Sequence, residues 1–305
     1  MPSTETASWT HTRAGVARGY IQPASLDELW FHTGTNCNLR CPFCLEGSKP
    51  GDNRIELISA AEARAYIDEA IGMGVRKFSF TGGEPFVNPD MVAILDHALD
   101  HRPCLVLTNG TEPLINRLAD VLPLIAKPHE LAFRISLDYA DPVRHDKGRG
   151  PGNFRTALRT LGHLHRAGFQ VSIARQMDTD ESDRAAVDAE YRAHFAAHGL
   201  PEDTTIVAFP DFAPPSAHVD TPEITENCMT TYLSEAQRDA FMCNFSKMIV
   251  KKGGRCGVYA CTLVDDDADY DLAPTLAESM KVRVMLRHHR CFSCFAYGAS
   301  CSEGH

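Results

Sequence analysis

From Leu29 to about Phe212 the chain alternates short apolar runs with stretches whose apolar positions recur every three to four residues. Leu29-Trp30-Phe31-His32-Thr33 is the first run. Ser59-Ala60-Ala61-Glu62 reads as a capping box, a helical stripe follows through Ala63, Ile67, Ala70 and Ile71, and Gly72 and Gly74 close the helix. A second run over 76–81 leads into Gly82-Gly83-Glu84-Pro85, and Asn88-Pro89 offers a cap and a first-turn proline for a helix over 91–100. The third run, 104–108, ends at Asn109-Gly110 and precedes a helix at about 113–122. The fourth run is 131–138. After a glycine-rich loop, Asn153 caps a helix that ends at Gly168. The fifth run is 169–174, a helix follows from about Ser182 to His198, and the sixth run is 204–209.

Six strand–helix steps of this kind predict a parallel sheet with right-handed crossovers. They are too few for a complete eight-unit barrel, so the expected fold is α/β, an open partial (β/α)6 barrel over 26–212. Residues 1–25 read as an N-terminal extension. Pro210, Pro214, Pro215 and Pro222 mark a linker into a smaller C-terminal segment, 213–305, which carries seven of the eleven cysteines. That segment has one clear hairpin candidate, Met248-Ile249-Val250 against Val258-Tyr259-Ala260.

Composition narrows the picture. Of 305 residues, 44% are hydrophobic and 23% are charged, the composition of an ordinary globular chain. A net charge of −10 argues against a nucleic-acid partner, which needs a basic surface to neutralise phosphates. No run has membrane-spanning or signal-peptide length, so the expected location is the cytoplasm. Eleven cysteines in a reducing compartment point to metal or redox chemistry rather than disulfides.

Cys37-Asn-Leu-Arg-Cys41-Pro-Phe-Cys44 puts three thiols within eight residues, where one short loop can wrap an iron–sulfur cluster. Three ligands on a four-iron cube leave one iron open to a substrate, as a catalytic metal keeps an open position. Structural zinc is the alternative, although zinc wants a fourth ligand and the nearest histidine, His32, lies in an apparent strand.

These residues resemble the radical S-adenosylmethionine superfamily, whose CxxxCxΦC motif has an aromatic before the third cysteine, here Phe43. Other elements match the family in order. Gly82-Gly83-Glu84-Pro85 matches the stretch that binds the methionine amino group. Thr108-Asn109-Gly110 closes the third strand, Ser136-Leu137-Asp138 stands where the family contacts the ribose, and Arg175 is suited to pair with the methionine carboxylate. The resemblance implies a [4Fe–4S] cluster on Cys37, Cys41 and Cys44, bound S-adenosylmethionine, and an external one-electron reductant such as flavodoxin or ferredoxin. It also implies a 5′-deoxyadenosyl radical that takes a hydrogen atom from an unactivated carbon.

The C-terminal cysteines resemble the twitch and SPASM auxiliary domains of the same family. By that resemblance Cys243, Cys261, Cys291 and Cys294 hold one auxiliary [4Fe–4S] cluster, with structural zinc again the alternative. Cys104 reads as a buried strand residue; Cys228 and Cys301 read the same way, unless Cys301 replaces one of the four. Cys256 lies beside the hairpin outside this set. It is either a radical-quenching thiol that inverts a carbon centre, or a ligand or loop thiol. Asp265, Asp266 and Asp267 open an acidic run that is either a solvated loop or a surface for a cationic aminosugar. His97 and His101 share a helix face, with surface or supporting roles expected.

Together these features are similar to the neomycin C epimerase type. The implied function is epimerisation at an aminoglycoside carbon with Cys256 as hydrogen donor. The alternatives are an aminocyclitol or sugar-alcohol dehydrogenase and a peptide-modifying enzyme, although the short N-terminus leaves little room for a leader-binding domain.

Overall fold

The computed structural model describes residues 8–177, 184–209 and 212–298. Cys301, Ser182 and Pro210 lie outside them. Six parallel strands follow in chain order across the sheet: β1 (Glu28–His32), β2 (Lys77–Thr81), β3 (Cys104–Thr108), β4 (Leu131–Ser136), β5 (Gln170–Gln176) and β6 (Thr205–Phe209). β6 is an edge strand, so the barrel is open, as the count of units predicts.

The central strands are buried on both faces, as parallel strands between covering layers must be, while the edge strand β6 is only partly covered. Along β1, Leu29 and Phe31 enter a core shared with the helices, while Trp30 enters a second core on the inner face; all three are fully buried. The helix-side core joins Phe78, Phe80, Val106 and Phe133 to Ile67 of α1 (Ala60–Gly72) and Leu95 of α2 (Met91–Ala98). The Ser59–Glu62 capping box is present. Such a cap stabilises a helix by about 1 kcal/mol.

Several local expectations need correction. Asn88 does not cap α2. Its amide donates to Thr33 O and Ile58 O, tying the loops after β1 and β2 together, and Asp90 takes the cap position. Asn153 is the first helical residue of α4 (Asn153–Arg166) rather than its cap, because Gly152, at φ 81°, makes the turn. The helix expected at 113–122 is broken into two four-residue turns, Glu112–Ile115 and Leu118–Val121. The glycine-rich loop hides a further helix, α3 (Pro142–Arg149). Asp141 caps it by accepting from the Arg144 N–H, and Pro142 opens it, a pair of start signals that the surrounding glycines obscured.

The hairpin forms as predicted between β7 (Ser246–Lys252) and β8 (Arg255–Tyr259). Gly253 and Gly254 make its two-residue turn with φ of 58° and 76°, values that favour glycine. It does not stand apart from the barrel. β7 pairs in parallel with β1, Glu28 opposite Ser246, and a short edge strand, β9 (Asp271–Ala273), completes a nine-stranded sheet in the order β9-β8-β7-β1-β2-β3-β4-β5-β6. Tyr20–Ile21 pairs with Val284–Met285, so the N-terminal residues pack on the C-terminal segment. Among the described residues no helix is long and apolar enough to cross a membrane.

Candidate active site

The cysteine loop leaves the carboxyl end of β1, the end of a parallel sheet where crossovers leave a crevice. Two glycines seat it. A Cβ on Gly83 would stand 2.6 Å from the carbonyls of both Thr35 and Asn36, and one on Gly82, at φ 148°, would stand 2.7 Å from Gly34 O. The pair of glycines after β2 is therefore required by the close approach of the loop that precedes Cys37.

Cys37, Cys41 and Cys44 line one cleft together with Phe43, Gly82, Gly83, Thr108, Asn109, Ser136, Asp138 and Arg175. Burial pushes the Cys37 thiol up to about 12 and raises Cys41 and Cys44, with the Arg149 guanidinium opposing the shift in the latter two. Three thiolates in such a pocket need a bound cation to hold their charge. Among the described residues, the only group of potential ligands whose atoms all lie within 4.8 Å of one another is Asp68, His97 and His101, on the α1–α2 surface; neither cysteine set closes to that spacing. The thiol-only donor set of the cleft suits a four-iron cube.

Glu84 does not reach the cleft wall. Its carboxylate accepts from Thr108 Oγ1 (2.8 Å), the Asn109 N–H (2.8 Å) and the Phe86 N–H (3.1 Å). Burial nevertheless lifts its pKa to about 6. Its role in this geometry is to hold the end of β3, where Asn109 in turn donates to Asn38 (2.9 Å) inside the cysteine loop. The two glycines beside it form the cleft wall.

Asp138 accepts two bonds from one edge of the Arg149 guanidinium, from Nε and from Nη2 (2.9 Å). Arg149 ends α3, lines the cleft, and stands 5.9 Å from the centre of the Phe43 ring. The sequence reading missed it because α3 was hidden. Arg175 is buried, lines the cleft and pairs with Asp188 of α5 (Arg184–Ala197) at 3.3 Å.

Behind the cysteine loop runs a buried polar chain that no sequence pattern announces. The Gly34 N–H donates to His32 Nδ1 (3.2 Å), so Nε2 carries the proton shared with Glu46 (3.3 Å). Burial raises Glu46, but His32, Arg54 and Arg290 outweigh it and leave the carboxyl below its ordinary range. Arg54 then joins Glu46 (3.2 Å) to Asp265 (2.6 Å).

The second cysteine set meets in a separate, small cavity. Cys243, Cys261, Cys291 and Cys294 line it with Phe241, Leu263, Val264 and Tyr270 among the apolar walls. Burial pushes Cys243 up to about 12 and Cys291 up to about 11, and raises Cys261 further. Cys104 is buried in β3 as expected, and Cys228 packs at the inner core with its sulfur 3.2 Å from Thr225 Oγ1.

Two expected site groups are not brought to the cleft. Cys256 shares the strand parity of Val258 and packs against the helix-side core, beside Tyr66 of α1, whereas the cleft lies on the other face of the sheet. The acidic run is consumed internally. Asp265 is fully buried on Arg54, Asp266 accepts from the Ser216 N–H (2.7 Å) and pairs with His288 (3.1 Å), and Asp267 pairs with Arg287 (2.5 Å). These contacts hold the Asp266 carboxyl well below its ordinary value, against the effect of its burial.

The sequence matches the Radical SAM superfamily over residues 31–183, the stretch that carries the cysteine loop, both glycines, Asp138, Arg149 and Arg175. The chain belongs to the radical SAM superfamily. Mycofactocin maturase MftC of Mycolicibacterium smegmatis is 33% identical over 163 residues, 52% of this chain and 40% of that protein. The bacteriocin subtilosin biosynthesis protein AlbA of Bacillus subtilis is 31% identical over 146 residues, 47% of this chain and 32% of that protein. The chain thus spans well under half the length of these radical SAM relatives. In fold it resembles SuiB of Streptococcus suis bound to S-adenosylmethionine, with a TM-score of 0.58 at 12% identity over 90% of this chain and 66% of that one. Membership of the superfamily implies a [4Fe–4S] cluster and S-adenosylmethionine.

Proposed function

We propose that this radical SAM enzyme takes a hydrogen atom from a carbon of a peptide substrate, with a second [4Fe–4S] cluster on Cys243, Cys261, Cys291 and Cys294. When bound, the first cluster and S-adenosylmethionine supply the 5′-deoxyadenosyl radical chemistry of the superfamily. The chain's own residues do the rest. Cys37, Cys41 and Cys44 hold the cube and leave one corner open. Gly82 and Gly83 form the backbone wall for the methionine end, and Glu84 fixes Thr108 and Asn109 beside it. Asp138, oriented by Arg149, accepts from a ribose hydroxyl, and Arg175 faces the carboxylate.

The observation that carries the substrate reading is the remainder of the cleft. Beyond those residues it is lined by Trp30, Leu39, Leu45, Leu107, Phe209 and Phe212, and the carboxylates on its wall, Glu46 and Asp138, are already paired with arginines. Such a lining suits an apolar or aromatic side chain and excludes water from a reactive carbon. Among the described residues, a polycationic sugar would find no unpaired carboxylate there. The epimerase reading also needs Cys256 at the cleft, and that thiol packs on the opposite face of the sheet. Relatedness to MftC and AlbA supports the same direction.

The test is anaerobic incubation of the reconstituted protein with S-adenosylmethionine, a reductant and peptides bearing aromatic or branched residues. Aminoglycosides and aminocyclitols run in parallel, and 5′-deoxyadenosine and product mass are measured. Peptide-dependent stoichiometric product supports the proposal. Turnover of an aminosugar, with deuterium from solvent at one inverted carbon, would replace it with epimerisation.

A further inference from the structure

One side chain touches both cysteine sites. Arg290 immediately precedes Cys291 and is 1% exposed. Its Nη1 donates to Leu263 O (3.0 Å), two residues past Cys261. Its Nη2 donates to Ala213 O (2.8 Å) and to Leu45 O (3.0 Å), the residue after Cys44. One planar guanidinium therefore ties the loop of the first site to that of the second, a fork that a lysine cannot reproduce.

Its third donor is more telling. Arg290 Nε is buried and has no partner among the described residues, yet Arg290 forms part of the wall of the four-thiol cavity. An unpaired N–H in a closed, apolar cavity is unfavourable unless something there accepts it. Thiolate and sulfide sulfurs of an iron–sulfur cluster are such acceptors, and hydrogen bonds to them raise the cluster's potential. The charge has the same direction, because all three of its hydrogen bonds are to neutral carbonyls, Glu46 and Asp266 feel it only through space, and a cube with four thiolates is anionic.

We infer that Arg290 is a positioning residue that joins the two iron–sulfur sites. Its Nε donates to the group held by the four C-terminal thiols and raises the potential of that group, while its Nη2 fixes the loop of the first site through Leu45. The inference rests on the reading that those four thiols hold a cluster. Arg54, which spans from Glu46 to Asp265, is a second brace between the same two loops.

The test separates the two claims. In a Cys37→Ala, Cys41→Ala, Cys44→Ala background the second cluster is alone, and its iron content and midpoint potential are measured with Arg290, Arg290→Lys and Arg290→Met. The expected midpoint becomes more negative in Arg290→Met, with a smaller shift in Arg290→Lys, which keeps the charge but loses the Nε donor. In the otherwise unaltered enzyme with both clusters loaded, both variants weaken S-adenosylmethionine binding by about tenfold, read by the nucleotide-induced change in the first cluster's EPR signal. Should Arg290→Met fail to fold, Arg290→Lys decides both readouts. Iron retained with an unshifted midpoint, or unchanged nucleotide affinity, overturns the role of Arg290. Absence of iron in the triple-alanine background instead overturns the second cluster, and the inference with it.

Discussion

Cys37, Cys41 and Cys44 stand on a broad cleft at the strand ends, while Cys243, Cys261, Cys291 and Cys294 line a much smaller apolar cavity. The ligand atoms are the same, and burial raises Cys37, Cys41 and Cys44 as it raises Cys243, Cys261 and Cys291. What differs is the company. The first set shares its wall with backbone glycines, hydroxyls, an amide, a paired aspartate and two arginines. The second set has aromatic and aliphatic walls and, among the described residues, an arginine Nε without a partner. On the proposed reading, three thiols with polar groups beside them leave room for a reacting ligand, and four thiols with apolar neighbours would complete a cube suited to electron transfer alone.

The sharpest way to break this comparison is to remove the first set. Cys41→Ala should abolish 5′-deoxyadenosine formation while the second site keeps its iron, checked by chromatography and iron analysis. Cys291→Ala should do the converse: S-adenosylmethionine cleavage persists, and peptide product is lost. If cleavage disappears as well, the two sites are not separable in the way the walls suggest. Gly83→Ala comes next. Its Cβ would meet two backbone carbonyls at 2.6 Å, so the cysteine loop must move, and a displacement near 1 Å is expected to reduce turnover by about a hundredfold with iron content retained.

Glu84 gives a smaller effect with a distinctive sign. Its pKa lies near 6 in the folded chain, above the ordinary 4.5, so the folded state holds this proton more tightly than the unfolded one. Stability from this group is therefore present below about pH 4.5 and falls as pH rises through 6, by about 2 kcal/mol in all, the reverse of a salt-bridged carboxylate. Comparing denaturant midpoints of the wild type and Glu84→Gln between pH 4.5 and 7 checks it: the downward slope should flatten in the variant. The smallest effect is expected from Cys256→Ala, which should leave product formation within about twofold, as for a residue remote from the reacting atoms. A complete loss would return the thiol to the chemistry and overturn its placement.

Much of this was legible because it is local. Capping boxes, paired glycines after a strand and three thiols in eight residues are short-range patterns, and the periodicity of 29–209 gives the strand order directly. Arg149 escaped because an Asp-Pro helix start lay among glycines. Arg54 and Arg290 escaped because they reach partners 200 or so residues away or backbone carbonyls, which no side-chain pattern announces. For Cys256, left open between a reacting thiol and a loop thiol, the strand itself carried a signal. Cys256 alternates with Val258, not with Tyr259, and that parity alone assigns it to the helix side of the sheet.

The pairing of Ser246–Lys252 with Glu28–His32 has a consequence for how such a chain can be dissected. The strand that delivers the cysteine loop is not an edge strand, and it becomes one the moment the last sixty residues are cut away. A shortened protein would carry the cysteine loop, Gly82, Gly83, Asp138 and Arg175 and still present a bare, sticky ladder of amides beside them. Swapping C-terminal halves between relatives should therefore succeed only when the donor brings its own version of that strand.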